Sequence, residues 1–191
     1  MVTLVKQIIY HATAKSNWEK IRTTGFKIPK NDWAHFYMGG TRKKPGSLGY
    51  GLYGFWEDTE LARLFISNTT SLKEHAIIRL TLEVEEEQTL NFFDRLEDIK
   101  LFRNFVLDSN LDRVIMSLRK LYRNSFKQHA LDGALIESFI RKLKRDTEFS
   151  QIDCVISATS TSIYKRVELF VPNGVEYCIR TKKIITQYEL E

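Results

Sequence analysis

The spacing of apolar positions changes along the chain, and each change predicts a different kind of element. Residues 5–10 (VKQIIY) form an apolar run suited to a buried strand. A helix is expected next, with Ser16 as its N-cap and Trp18 and Ile21 one turn apart. It should stop at Gly25, where a left-handed cap favours glycine. The stretch 29–50 is polar, holds Gly39, Gly40, Pro45 and Gly46, and predicts a loop. GYGLYGFW (49–56) then predicts a short strand, and Asp58 caps a helix carrying Leu61, Leu64 and Phe65. HAIIRLTLEVEEE (75–87) alternates as a half-buried strand does, and LNFFD (90–94) adds a short one. From about residue 95 the period becomes helical. Leu111, Val114, Ile115, Leu118, Leu121 and Tyr122 form one stripe, and Leu135, Ile136, Phe139, Ile140 and Leu143 form another. The last forty residues return to strands: IDCVIS (152–157), RVELFV (166–171) and VEYCIR (175–180), with KIIT (183–186) behind. The layout predicts one α+β domain over 1–191, with a helical insertion at about 96–146.

Composition narrows the class. In 191 residues, 43% hydrophobic and 28% charged side chains are ordinary for a globular domain with a sizeable core. Three prolines and nine glycines argue against long disordered linkers. No apolar run approaches the roughly 18–20 residues that span a bilayer, and MVTLVKQIIYHAT reads as a first strand with no cleavage site behind it. A cytoplasmic protein without a membrane partner is expected. Cys154 and Cys178 lie in apolar strand-like stretches and read as reduced core cysteines. His11, His35, His75 and His129 are too scattered for a metal site, so no metal is expected.

Charge changes the picture in one place. Leu111–Arg145 holds nine Lys/Arg against three Asp/Glu, a local +6, and the rest of the chain carries 20 basic against 21 acidic residues. All of the net +5 therefore resides in the helical block. Arg119, Lys120, Arg123, Arg141, Lys142, Lys144 and Arg145 are candidates to contact nucleic-acid phosphates, alongside Arg113 and Lys127. A solvated basic face or a dock for an acidic protein has the same composition.

Three stretches carry the candidate chemistry: Tyr10-His11-Ala12-Thr13, Leu48-Gly49-Tyr50-Gly51-Leu52-Tyr53 with Phe65 beyond it, and Asn173-Gly174-Val175-Glu176-Tyr177-Cys178-Ile179. Taken singly, the first two have structural explanations, a hydrogen-bonded histidine at a strand end and a turn entering a strand. Glu176 is harder to explain, because a carboxylate sharing a strand face with Cys178 needs a partner or a pocket.

Taken in order, these stretches resemble the His-Tyr-Glu branch of the ADP-ribosyltransferases, which holds diphtheria-type toxins and poly-ADP-ribose polymerases. YHAT, GYGLY, Phe65 and NGVEYCI stand in that family's order, and the resemblance covers about 1–94 and 150–190. It implies a split β-sandwich with flanking helices and NAD as co-substrate. Breaking the bond to nicotinamide builds positive charge on the ribose, which Glu176 would stabilise while holding a ribose hydroxyl. Tyr53 and Phe65 would sandwich the nicotinamide. His11 would bond a ribose hydroxyl, the backbone at Ala12 the carboxamide, and Thr13 would add a hydroxyl contact. The chain departs from the family pattern at Ala12, where glycine is usual, and at Phe65, where the polymerases carry tyrosine. Ser160-Thr161-Ser162 spells a motif of the Arg-Ser-Glu branch. That branch wants Arg on the first strand, where this chain offers Lys6, and Glu or Gln at position 174, which is glycine. The triplet reads as a polar turn.

The expected activity is thus transfer of ADP-ribose from NAD to an intracellular macromolecule, with nucleic acid, RNA in particular, favoured over protein as acceptor. Small size and a basic block also resemble toxins of toxin–antitoxin or phage-defence systems, which adds an antitoxin to the partners expected. The alternatives are a protein mono-ADP-ribosyltransferase, an RNA 2′-phosphotransferase of the same fold, whose Arg-x-His-Ile-His-like motif is absent, and a non-catalytic binding module.

Overall fold

A computed structural model of the chain describes residues 4–37, 43–71, 74–122, 129–146, 151–161 and 171–191. Arg123, Lys127, Ser162, Gly39, Gly40 and most of the expected strand 166–171 lie outside the described residues. The described part is mixed α+β, with a seven-stranded sheet and six α-helices.

The first strand, β1 (Leu4–Ala14), runs straight into α1 (Lys15–Thr24). The helix therefore starts one residue before the expected cap: Ala14 is the N-cap, and Ser16 sits in the first turn. Gly25 ends it as expected, at φ 71°, its amide donating to the Ile21 carbonyl at 2.7 Å. The expected loop at 29–50 contains a single helical turn, α2 (Trp33–Phe36), capped by the Asp32 carboxylate. After β2 (Leu52–Trp56), Asp58 caps α3 (Thr59–Thr69) by accepting from the Leu61 amide at 2.7 Å, as the pattern predicts. The long β3 (His75–Glu85) and short β4 (Thr89–Asn91) follow. The helical block resolves into α4 (Leu96–Val106), α5 (Asp112–Tyr122) and α6 (Ala130–Asp146). The chain closes with β5 (Cys154–Thr159), β6 (Gly174–Ile179) and β7 (Ile185–Leu190).

The strand order is β4-β5-β6-β2-β1-β3-β7, antiparallel except for β4 beside β5. One joint in this order is thin. β1 matches β3 over its whole length, Leu4↔Glu85 to Ala14↔His75, but meets β2 only at Ile9↔Trp56 and Tyr10↔Phe55. Both strands continue past that point, so they part there.

Strand alternation sorts the side chains into layers. Ile9, Leu52, Ile78, Leu80, Leu82, Tyr177 and Ile179 share one apolar cluster, against which Trp18 and Ile21 of α1 pack. On the other face, α3 brings Leu61, Ala62 and Ile66 onto Phe55 and Ile77. Beside it, α4 and α6 cover Val155 and Cys178 with Phe105, Ile136, Phe139 and Ile140.

The α6 stripe Ile136, Phe139, Ile140 and Leu143 packs on the sheet as expected, and Ala130 and Ala134 join a further cluster with Phe36, Tyr50, Leu118 and Tyr122. Even Glu137 and Ser138 are buried. Only the last turns of α6 present basic residues to solvent.

Candidate active site

The parting of β1 from β2 sets the site. In an antiparallel pair, residues bonded to one neighbour alternate with residues facing the other. Lys15 donates to Glu74 on the β3 side, and Ile8 accepts from Glu57 on the β2 side, so the even-numbered residues of β1 face β2. After Tyr10↔Phe55 the next such residue is Ala12, whose amide would meet the Tyr53 carbonyl. The ladder stops short of that bond. The His11 ring takes the carbonyl instead, Nδ1 donating at 2.6 Å. This bond places the proton on Nδ1 and leaves Nε2 as an acceptor. Burial holds the His11 pKa below its ordinary value, against the opposing effect of the bond to Tyr53, so the ring is neutral near pH 7. The ring also meets Phe26 edge-on at 6.0 Å.

Glu176 lies on β6, on the far side of β2 from β1. Val175, Tyr177 and Ile179 point into the first cluster, so Glu176 and Cys178 face the opposite side, with Tyr53 and Phe55 of β2. The register sets Glu176 beside Phe55 on β2 and Ser157 on β5, and Cys178 beside Tyr53. Glu176 is only 8% exposed, and burial pushes its pKa up to about 7, a rise the Ser47 hydroxyl opposes by donating to Oε2 at 2.7 Å. Among the described residues Oε1 has no hydrogen-bond partner, and no Lys or Arg pairs with the carboxylate.

Tyr53 and Phe65 occupy neighbouring patches of this face. The Phe65 ring lies 5.5 Å from that of Phe55, in the cluster that also holds Tyr10 and Ala12. Tyr53 packs toward Cys178 and Leu48, and its hydroxyl accepts from the Leu48 amide at 2.9 Å and donates to the Gly49 carbonyl at 2.6 Å. Thr13 accepts from the Asn17 amide group at 3.1 Å. The structure thus brings Ala12, Tyr53, Phe65 and Glu176 to one face of the sheet, whereas His11, alternating with Ala12 on β1, shares the other face with Ile9 and Phe26 and reaches only the Tyr53 backbone.

The candidate nucleic-acid residues form a separate surface. Arg119, Lys120, Lys144 and Arg145 are exposed on α5 and α6. Arg141 lies over the Trp33 ring, 4.5 Å from its centroid, and Lys142 is paired with Asp108 at 3.0 Å. Both of these charges are engaged within the fold. Ser160-Thr161 follows β5, and the Asn173 side chain accepts from the Thr161 amide at 2.9 Å and donates to its carbonyl at 2.6 Å.

Two residues in the site were missed by reading the sequence. Ser47 lies in a polar stretch where nothing marks it. Glu137 is the third acidic residue of a basic block, yet it is buried and accepts from the Tyr50 amide at 2.8 Å while pairing with Arg180 through both oxygens. A lone carboxylate inside ALIESFI was the available signal. Among the described residues, no group of three or more His, Cys, Asp or Glu side chains could hold a metal, and no helix is long and apolar enough to cross a membrane.

No family model, curated protein or solved structure matches this chain.

Proposed function

We propose that this protein is an NAD-dependent ADP-ribosyltransferase of the His-Tyr-Glu kind, with nucleic acid as its favoured acceptor, acting in the cytoplasm. The observation that carries the reading is a buried Glu176, with no cationic partner among the described residues, on one face with Tyr53, Phe65 and the unpaired stretch of β1 at Ala12. A carboxylate buried this deeply is costly to ionise, which favours a functional use for it. The early end of the β1–β2 ladder supports the split-sandwich reading, since it leaves β1 backbone at Ala12 unpaired on the β2 side.

The residues fit NAD. The Ala12 amide, free on the β2 side, would donate to the carboxamide, and its small side chain lies within the cluster, leaving the backbone edge open. His11 Nε2 would accept a ribose hydroxyl, because Nδ1 is committed to Tyr53. Glu176 Oε1 would take the 2′-hydroxyl and face the positive charge on the ribose. Tyr53 and Phe65 offer apolar ring surface for nicotinamide, and Thr13 a further hydroxyl. NAD supplies the ADP-ribosyl group: the ribose–nicotinamide bond breaks with its electron pair leaving on the ring, and a new bond forms to an acceptor atom that gives up its proton.

The local +6 of the helical block favours a polyanionic acceptor. Arg119, Lys120 and Lys144 are the exposed cations best placed to meet it, as Arg141 and Lys142 are engaged elsewhere. An acidic antitoxin would use the same surface. Incubation with labelled NAD and separate pools of RNA, DNA and protein tests this. Label in the RNA or DNA pool is expected; label confined to protein would overturn the acceptor, and no nicotinamide release in any pool would overturn the activity.

A further inference from the structure

The turn before β2 is held from three sides. Gly46 and Gly49 bridge one another through paired backbone bonds of 3.1 and 3.2 Å. The Tyr53 hydroxyl ties the Leu48 amide and the Gly49 carbonyl from below. From α6, the buried Glu137–Arg180 pair takes both backbone groups of Tyr50, the amide at 2.8 Å and the carbonyl at 3.3 Å. α6 approaches so closely that a methyl group on Gly133 would overlap the Gly46 carbonyl oxygen. A turn fixed this firmly gives Ser47 one position, and that position is against Glu176.

We propose that Ser47 is a positioning residue for the transfer reaction: its hydroxyl holds Glu176 Oε2, favours the ionised carboxylate and turns Oε1 toward the ribose. This rests on the NAD reading above. A hydroxyl stabilises a carboxylate because it donates to the charged form, and bonds to charged groups are the stronger ones. Among the described residues, no other side chain hydrogen-bonds to or pairs with this carboxylate. From β2, Tyr53 is a neutral phenol whose pKa is raised by burial. On β6 itself, Cys178 is a neutral thiol pushed up to about 12. β5 sets Ser157 beside Glu176 and α3 packs Leu61 against Gly174. The charge of Glu137 on α6 is matched by Arg180. Ser47 is thus the donor that offsets burial, and α6 belongs to the site through the turn it holds.

Ser47→Ala and Ser47→Thr test the assignment by two readouts. In the first, the carbon-13 signal of the Glu176 carboxyl group is followed through a pH titration without NAD. Ser47→Ala should raise the midpoint by about one unit, the worth of one hydrogen bond to a charged group, and Ser47→Thr should restore it. In the second, nicotinamide release is measured against pH. The acid limb of Ser47→Ala should move up by the same unit, with about a tenfold loss at pH 6 and little change at pH 9. An unmoved carboxyl midpoint, or a loss equal at every pH, would overturn the role of Ser47. A moved midpoint in a protein that releases no nicotinamide would instead leave the coupling standing and overturn the NAD reading.

Discussion

The His11 ring donates to the Tyr53 carbonyl at 2.6 Å, at the place where the backbone of β1 stops pairing with β2. A side chain thus stands in for a ladder bond, and the Ala12 amide is left without a β2 partner.

His11→Ala should therefore weaken NAD binding by about tenfold, the worth of one modest hydrogen bond. Calorimetric titration of NAD into both proteins checks it. Equal affinity would take His11 out of the site.

Gly133→Ala inverts a familiar rule. In an exposed helix interior the change gains about 1 kcal/mol, but here the new methyl group meets the Gly46 carbonyl and the Gly49 amide. The variant should lose roughly 1–3 kcal/mol, the range for an overpacked core, in urea denaturation. A stabilised variant would mean that α6 does not press on the turn.

Burial of Glu176 should be visible in stability as well as in catalysis. Its pKa rises from 4.5 to about 7 on folding, so the folded state holds this proton where the unfolded chain has released it. The fold is favoured below pH 4.5 and loses that advantage as pH climbs toward 7, by up to about 3 kcal/mol. Glu176→Gln removes the titration. Its melting temperature should exceed the parent's clearly at pH 8 and little at pH 5; parallel curves would contradict the burial.

For the basic surface, Arg119, Lys120 and Lys144 replaced together by Gln should weaken RNA binding and reduce the slope of log K against log salt by about 2, at roughly 0.7 for each lost phosphate contact with a single strand. Nicotinamide release by water should stay unchanged, since none of the three residues lies on the face that holds Glu176 and Tyr53. An unaltered slope would make the block a solvated face.

Much of this fold was legible in the sequence because the relevant forces are local. Asp58 caps α3 through an amide three residues away, and the alternation in β3 follows from the pleat alone. The order of His11, Tyr53, Phe65 and Glu176 was equally readable, since each sits in a short stretch of its own. Ser47 and Glu137 were not, because their partners lie 129 and 43 residues away. No periodicity encodes such a distance. Ser16 was misplaced for a different reason: β1 passes directly into α1, so the helix begins without the side-chain cap that a serine signals.

The central claim is that Glu176 drives the loss of nicotinamide, and the direct measurement is nicotinamide released from NAD by the parent and by Glu176→Gln at pH 8. Gln keeps the size and the hydrogen bonds but removes the charge that faces the ribose. The parent should release nicotinamide, the variant about 100-fold less or lower still, with NAD affinity within a few-fold of the parent's. Equal release by the two proteins would contradict it.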